Sequence, residues 1–179
     1  SHPDIFDFII IWTNFITPQE DASEIAHFSP TSNIWEGIGK YNFDSSFIYG
    51  GTGKLKGTIV MGNINKYNPE DEKGLNESLN VVMHEILHNW AAYVDFIDED
   101  GNRSEALLRD KDFKHWSYYG GFISPLGGSG WIDNGNGTFT NGLTKIADTN
   151  LRQYSQLDLY LMGLLPAISV DPIMYVEPT

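Results

Sequence analysis

The sequence predicts an α+β fold, and three observations predict it. Residues 6–15 and 55–61 are apolar runs rich in β-branched side chains, with the length of strands. One longer stretch carries Leu79, Val82, Ile86 and Trp90 at helical spacing. The half beyond Asp98 is dense in glycine and aromatics, a composition that resists long helices. At 41% hydrophobic residues, with 10 Phe, 9 Tyr and 5 Trp, the chain can fill a core. A length of 179 residues suits one domain spanning residues 1–179, and a piece excised from a longer protein would look the same.

In chain order, residues 6–15 read as a buried strand closed by Thr17-Pro18. Residues 19–30, with Asp21, Glu24, His27 and Ser29, read as a surface connection in which His27 is incidental. Gly50-Gly51-Thr52-Gly53 is a flexible turn that lacks the Gly-Lys-Ser/Thr sequel of a phosphate loop. Residues 55–61 form the second strand, followed by a polar loop through Gly74. Asn76 is the expected N-cap of the main helix, whose stripe extends towards Val94 before Asp98-Glu99-Asp100-Gly101-Asn102 marks its exit. Residues 105–108 read as a short helical segment. Residues 131–140 read as a hairpin with Asn134-Gly135-Asn136-Gly137 at its tip. Residues 155–165 read as a short helix in which Ser155 and Asp158 form a capping box and Pro166 is the stop.

Composition also excludes function classes. Twenty-four acidic residues against eleven basic ones give a formal charge of -13, which would repel a nucleic-acid backbone, and Lys54 and Lys56 form no basic patch. The absence of cysteine removes disulfides, thiolate ligands and cysteine nucleophiles. The apolar runs are too short for a membrane span. Ser1-His2-Pro3-Asp4 begins no basic-then-apolar segment, so no signal peptide is expected in the chain. Nothing in the composition sets an oligomeric state.

The chemistry concentrates in His84-Glu85-Ile86-Leu87-His88. On a helix, four residues advance about 40° around the axis and about 6 Å along it, which places both imidazoles on one side. Two neutral imidazole nitrogens supply half of a tetrahedral zinc shell. Glu85 would face the open position and act as general base on metal-bound water. Three residues are candidates for the third ligand, ranked His115, then Asp158, then Asp95. His115 stands in Lys114-His115-Trp116-Ser117, and Asp158 on the C-terminal helix, where it doubles as a cap. Asp95, about 10 Å along the helix from His88, fits better as an acceptor for a ring N–H than as a ligand.

His84-Glu85-x-x-His88 resembles the signature of the zincin superfamily of metallopeptidases. That resemblance implies a mixed, twisted sheet packed on a metal-binding helix, with a loop-rich C-terminal half. It implies that the strand at 55–61 is the sheet edge on which a peptide or protein substrate is aligned by strand addition. The His-x-x-Gly-x-x-His continuation of metzincins is absent, because Ala91 and Val94 occupy the glycine and third-histidine positions. Tyr154-Ser155-Gln156-Leu157-Asp158-Leu159-Tyr160-Leu161-Met162-Gly163-Leu164 is similar to a block in predicted exported bacterial metallopeptidases. So are the pair His115-Trp116 and the turn Asp133-Asn134-Gly135-Asn136-Gly137-Thr138-Phe139. The resemblance covers roughly the C-terminal half and implies a secreted or cell-surface location. Met162 is a loose counterpart of the methionine beneath the metzincin zinc, and Tyr160, or else Tyr118 or Tyr119, is a candidate oxyanion donor.

Asp98 to Glu105 packs acidic and amide oxygens around Gly101, a composition suited to a structural calcium ion, although it is no EF-hand. The turn at 133–138 is similar but carries one formal charge, which favours a plain hairpin. The expected function is zinc-dependent hydrolysis of peptide bonds. The alternatives are a zinc amidase or other non-peptidase hydrolase, and a non-catalytic metal-containing binding module.

Overall fold

A computed structural model of the protein describes residues 4–18, 25–109, 112–145 and 151–176. The chain forms a mixed α+β fold of short sheets and, among the described residues, two α-helices. It divides into two compact units, residues 1–89 and 90–179.

The first unit is built on a three-stranded sheet of β1 (Phe8–Thr13), β2 (His27–Pro30) and β5 (Gly57–Asn63) in the order β1-β5-β2. β1 runs parallel to β5, with a register shift between Ile11 and Trp12, and β2 runs antiparallel to it. β5 earns the central place because one face is uniformly apolar: Ile59 and Met61 are fully buried. The strand expected at 55–61 is thus present but is no edge. The edges are β1 and β2, so a substrate strand could not add to β5. Two further expectations are corrected. Residues 27–30 are a strand rather than connection, while 19–24 of that stretch lie outside the described residues. β1 is not buried: Ile9, Ile11 and Trp12 are each more than a third exposed, because only β5 flanks it. A two-stranded ribbon, β3 (Ser32–Asn33) and β4 (Phe43–Asp44), follows β2.

The main helix, α1, spans Glu72–Leu87. Its N-cap is Asp71, whose Oδ1 accepts the Gly74 N–H at 2.7 Å, and not Asn76, which lies within the helix. Its exit also comes early. His88 is the C-cap, and the Asn89 N–H turns to the Ile86 carbonyl at 3.0 Å, a tightened last turn that no glycine or proline announces. Trp90, Val94 and Asp95 therefore lie beyond the helix. Its buried residues are Gly74 and Glu85 on one side and Leu87 at its last position, whereas Leu79 of the expected stripe is 39% exposed. α1 packs on β5 and β2.

Gly74 shows how closely α1 is seated. A Cβ there would run into the backbone carbonyl of Asn68. Gly74→Ala is expected to destabilise the protein by about 1 kcal/mol. Overpacking against a backbone atom typically costs about 1–3 kcal/mol, which outweighs the roughly 1 kcal/mol of helix propensity gained. Denaturant unfolding measures it, and a midpoint at or above that of the wild type would contradict the close approach.

The second unit is loop-rich, as expected. It holds the ribbons β6–β7 (Phe96–Ile97, Arg103–Ser104) and β8–β9 (Ile132–Asp133, Phe139–Thr140) and the helix α2 (Gln156–Leu161). The β8–β9 hairpin carries its Asn-Gly tip as the turn chemistry requires. The capping box of α2 is complete: Ser155 Oγ accepts the Asp158 N–H, and Asp158 accepts the Ser155 N–H. Residues 105–108 are a turn closed by the Leu108 N–H on the Glu105 carbonyl at 2.8 Å, not a helix, because Leu108 is drawn into a bridge with Trp116. The core surrounds Trp116, with Leu107, Leu108, Leu126 and Leu161 buried in the same unit. Among the described residues no helix is long and apolar enough to cross a membrane.

Candidate metal centre

His84 lies in the last turn of α1 and His88 at its C-cap. Their rings stand edge to face, with centroids 4.9 Å apart and planes at 84°, as one helical turn of spacing dictates. The helix end is held by Lys40, whose Nζ donates to the His88 carbonyl at 3.2 Å and stands 5.9 Å from the centre of the Phe28 ring on β2. A cation at that carbonyl also suits the negative end of the helix dipole. Glu85 is buried at 6% exposure, and its Oε1 lies 4.0 Å from His84 Nε2.

His115 sits in the loop segment before Trp116 and is half-buried. Its Nδ1 meets Asp112 Oδ2 at 2.8 Å. Burial pushes the His115 imidazole down, opposed by Asp112, and the net direction keeps the ring neutral as a metal ligand must be. Burial works against ionisation of Asp112 too, but the Lys114 N–H, the His115 ring and Arg109 outweigh it and hold the carboxyl below its ordinary value. An ionised carboxylate only accepts, so His115 Nδ1 carries the proton and Nε2 is left with the lone pair. Arg109 closes the array, 3.7 Å from Asp112 Oδ2 and 4.4 Å from the centre of the Tyr118 ring.

His84, His88 and His115 form a cluster: each offers one ring nitrogen, and these atoms all lie within 4.8 Å of one another. Such a set could coordinate a divalent metal ion. The donor chemistry fits zinc, which takes neutral imidazole nitrogen at about 2.0–2.1 Å. No carboxylate belongs to the cluster, Glu85 included.

Neither Asp158 nor Asp95 belongs to the cluster. Asp158 is fully buried, with Oδ1 accepting from Trp116 Nε1 and Oδ2 from Ser155, so both oxygens are engaged within the second unit. Asp95 pairs with Arg103. Tyr160 is 43% exposed on α2, Met162 is the C-cap of that helix, and Tyr119 packs against Tyr175 at 6.2 Å. The acidic loop gives no support to calcium. It is the β6–β7 hairpin turn, and Asp98 Oδ1 accepts the N–H groups of Asp100 and Asn102 at 3.0 and 2.8 Å. The histidine cluster is the only metal-competent grouping among the described residues. Asp112 was not anticipated from the sequence; its signal is the Asp-x-x-His spacing.

A cavity of about 690 Å³ in the second unit, walled by Phe122, Leu143, Leu157, Ile173 and Met174 with Arg152 at its lining, contains none of the three histidines. A concave, partly apolar cavity of this kind suits a small ligand, but the convergent metal-ligand chemistry lies with the histidines.

Comparison with protein-family models, curated protein sequences and solved structures finds no match to this chain.

Proposed function

We propose that this chain holds zinc at His84, His88 and His115 and that the centre serves hydrolysis of an amide or ester bond. The observation that carries the metal reading is the approach of three ring nitrogens within 4.8 Å. Zinc is preferred because three imidazoles suit it and the chain offers no thiolate. Three protein ligands leave one tetrahedral position open, the arrangement of catalytic zinc sites rather than structural ones. When bound, the ion would supply Lewis acidity and an activated water near neutral pH.

The chain's own residues supply the rest of this reading. Glu85, next to His84 in the chain and buried with its Oε1 4.0 Å from His84 Nε2, would accept a proton from the attacking water and return it to the leaving group. Asp112 would hold the His115 ring in one tautomer. Lys40 would hold the carbonyl of His88. Tyr160, exposed on α2, would be the hydroxyl available to the oxyanion in this reading.

Peptides are one amide substrate within this class. The observation that favours them is the edge position of β2, tied by Lys40 to the end of α1, where an extended chain could add to the sheet. Kinship with zincin metallopeptidases and export belong to the same proposal and rest on the motif and on the 154–164 block. A non-catalytic metal-containing binding module would use the same three histidines and would leave Glu85 without a role.

Zinc titration of the metal-free chain tests the metal reading. One equivalent is expected to bind and to raise the unfolding temperature. At free zinc about 1,000 times Kd the stabilisation is about 4 kcal/mol, and a chelator reverses it. Absence of saturable binding would contradict the centre.

A further inference from the structure

Asp158 does more than cap α2. Capping the Ser155 N–H and Oγ uses only Oδ2, both at 2.8 Å, and could be done at the surface. Yet the residue is fully buried, and Oδ1 receives the indole N–H of Trp116 at 2.8 Å. A carboxylate taken out of water is costly unless its lone pairs are filled, and here both oxygens are filled from within one unit. Trp116 is itself fully buried. Its backbone N–H donates to the Leu126 carbonyl at 3.0 Å, its ring meets Phe122 edge to face at 5.6 Å, and its backbone bridges Leu108 and Gly127. Gly127 approaches so closely that a Cβ there would stand 2.6 Å from the Trp116 carbonyl, at a φ of +134°. The residue before Trp116 is His115, whose carbonyl accepts the Arg109 N–H at 2.9 Å.

We propose that Asp158 is a positioning residue for His115, acting through Trp116: the carboxylate fixes the indole, and the indole fixes the backbone from which the imidazole projects. This rests on the reading of His115 as a metal ligand. It gives the Ser155-Gln156-Leu157-Asp158 segment a function at the centre without making Asp158 a ligand. It also explains the residue type at 116, since phenylalanine would keep an aromatic ring but offer no donor.

The test is titration of the chain with Co²⁺, followed by its d–d absorption, at a temperature well below the unfolding of each variant, with thermal unfolding measured in parallel. Trp116→Phe and Asp158→Ala are expected to weaken binding about 10-fold or more and to change the band shape. Asp158→Asn keeps an acceptor for the indole and is expected to restore affinity to within about threefold of the wild type. Ser155→Ala removes the Oγ bonds of the cap but leaves the Ser155 N–H on Oδ2 and the indole on Oδ1, so it should lower the unfolding temperature and keep affinity within about threefold of the wild type. Wild-type affinity in both Trp116→Phe and Asp158→Ala would overturn the proposal. So would a loss in Ser155→Ala equal to theirs. Equal losses in Asp158→Ala and Asp158→Asn, with Trp116→Phe unaffected, would make Asp158 a ligand and overturn it likewise. Should Asp158→Ala fail to fold, Trp116→Phe against Ser155→Ala decides. Failure of the underlying centre has a separate signature: a wild type that binds no Co²⁺, or a His115→Ala variant that binds it as tightly as the wild type.

Discussion

Replacing His84 or His88 by alanine is expected to weaken zinc binding by more than about 100-fold. A structural zinc shell is worth about 10–16 kcal/mol over four ligands, or roughly 3 kcal/mol each, and each 1.4 kcal/mol is tenfold in affinity. Both residues are half-buried, in the last turn and at the C-cap of α1. The fold should therefore survive truncation, and the loss should be specific to the metal. Competition against a chromophoric chelator measures affinity, with far-UV circular dichroism as the check on α1. Wild-type affinity in either variant would remove that histidine from the ligand set.

Glu85→Gln is expected to keep zinc at full stoichiometry and to lower kcat/KM by about 10²- to 10⁴-fold, the usual contribution of a positioned general base. The amide matches the carboxylate in shape but cannot hold a proton. Because Glu85 is no member of the ligand cluster, its replacement should leave metal affinity close to that of the wild type. The substrates to use are a mixed peptide library beside small amide and ester substrates, since the geometry favours the wider class. Loss of zinc together with activity would make Glu85 structural. A zinc-loaded wild type that hydrolyses none of them would favour the non-catalytic binding module.

Local chemistry was legible in the sequence wherever a short segment determines its own structure. The Asn-Gly hairpin at 131–140 and the Ser155–Asp158 capping box both form as turn and cap preferences require. The two strands and the helix were legible too, from their apolar patterns. What tertiary context decides was not. The exit of α1 at His88 carries no glycine or proline; the chain leaves the helical path ahead of Ala91 and Ala92, which are fully buried. That early exit removed the geometric basis for placing Asp95 near His88. The position of β5 between β1 and β2 depends on β2, a four-residue strand ending in Pro30 whose own pattern is too short to read.

The same division holds for the site. The two histidines four apart were readable because one turn of helix fixes their relation. Asp112 was not legible because it meets the His115 ring in a loop segment, where no helical or strand periodicity fixes which side chains face each other. Asp158 offered two readings, ligand and cap, that the sequence alone could not separate. Its hydrogen bond to Trp116 supplies a third, and that bond joins residues 42 apart in the chain.

The centre itself is tested most directly by X-ray absorption spectroscopy of the zinc-loaded protein. The three-histidine account predicts a first shell containing three imidazole nitrogens at about 2.0–2.1 Å, with one further light atom in the open position. The outer-shell imidazole scattering should fall from three rings to two in His115→Ala. A wild-type shell with only two imidazoles, unchanged in His115→Ala, would contradict it.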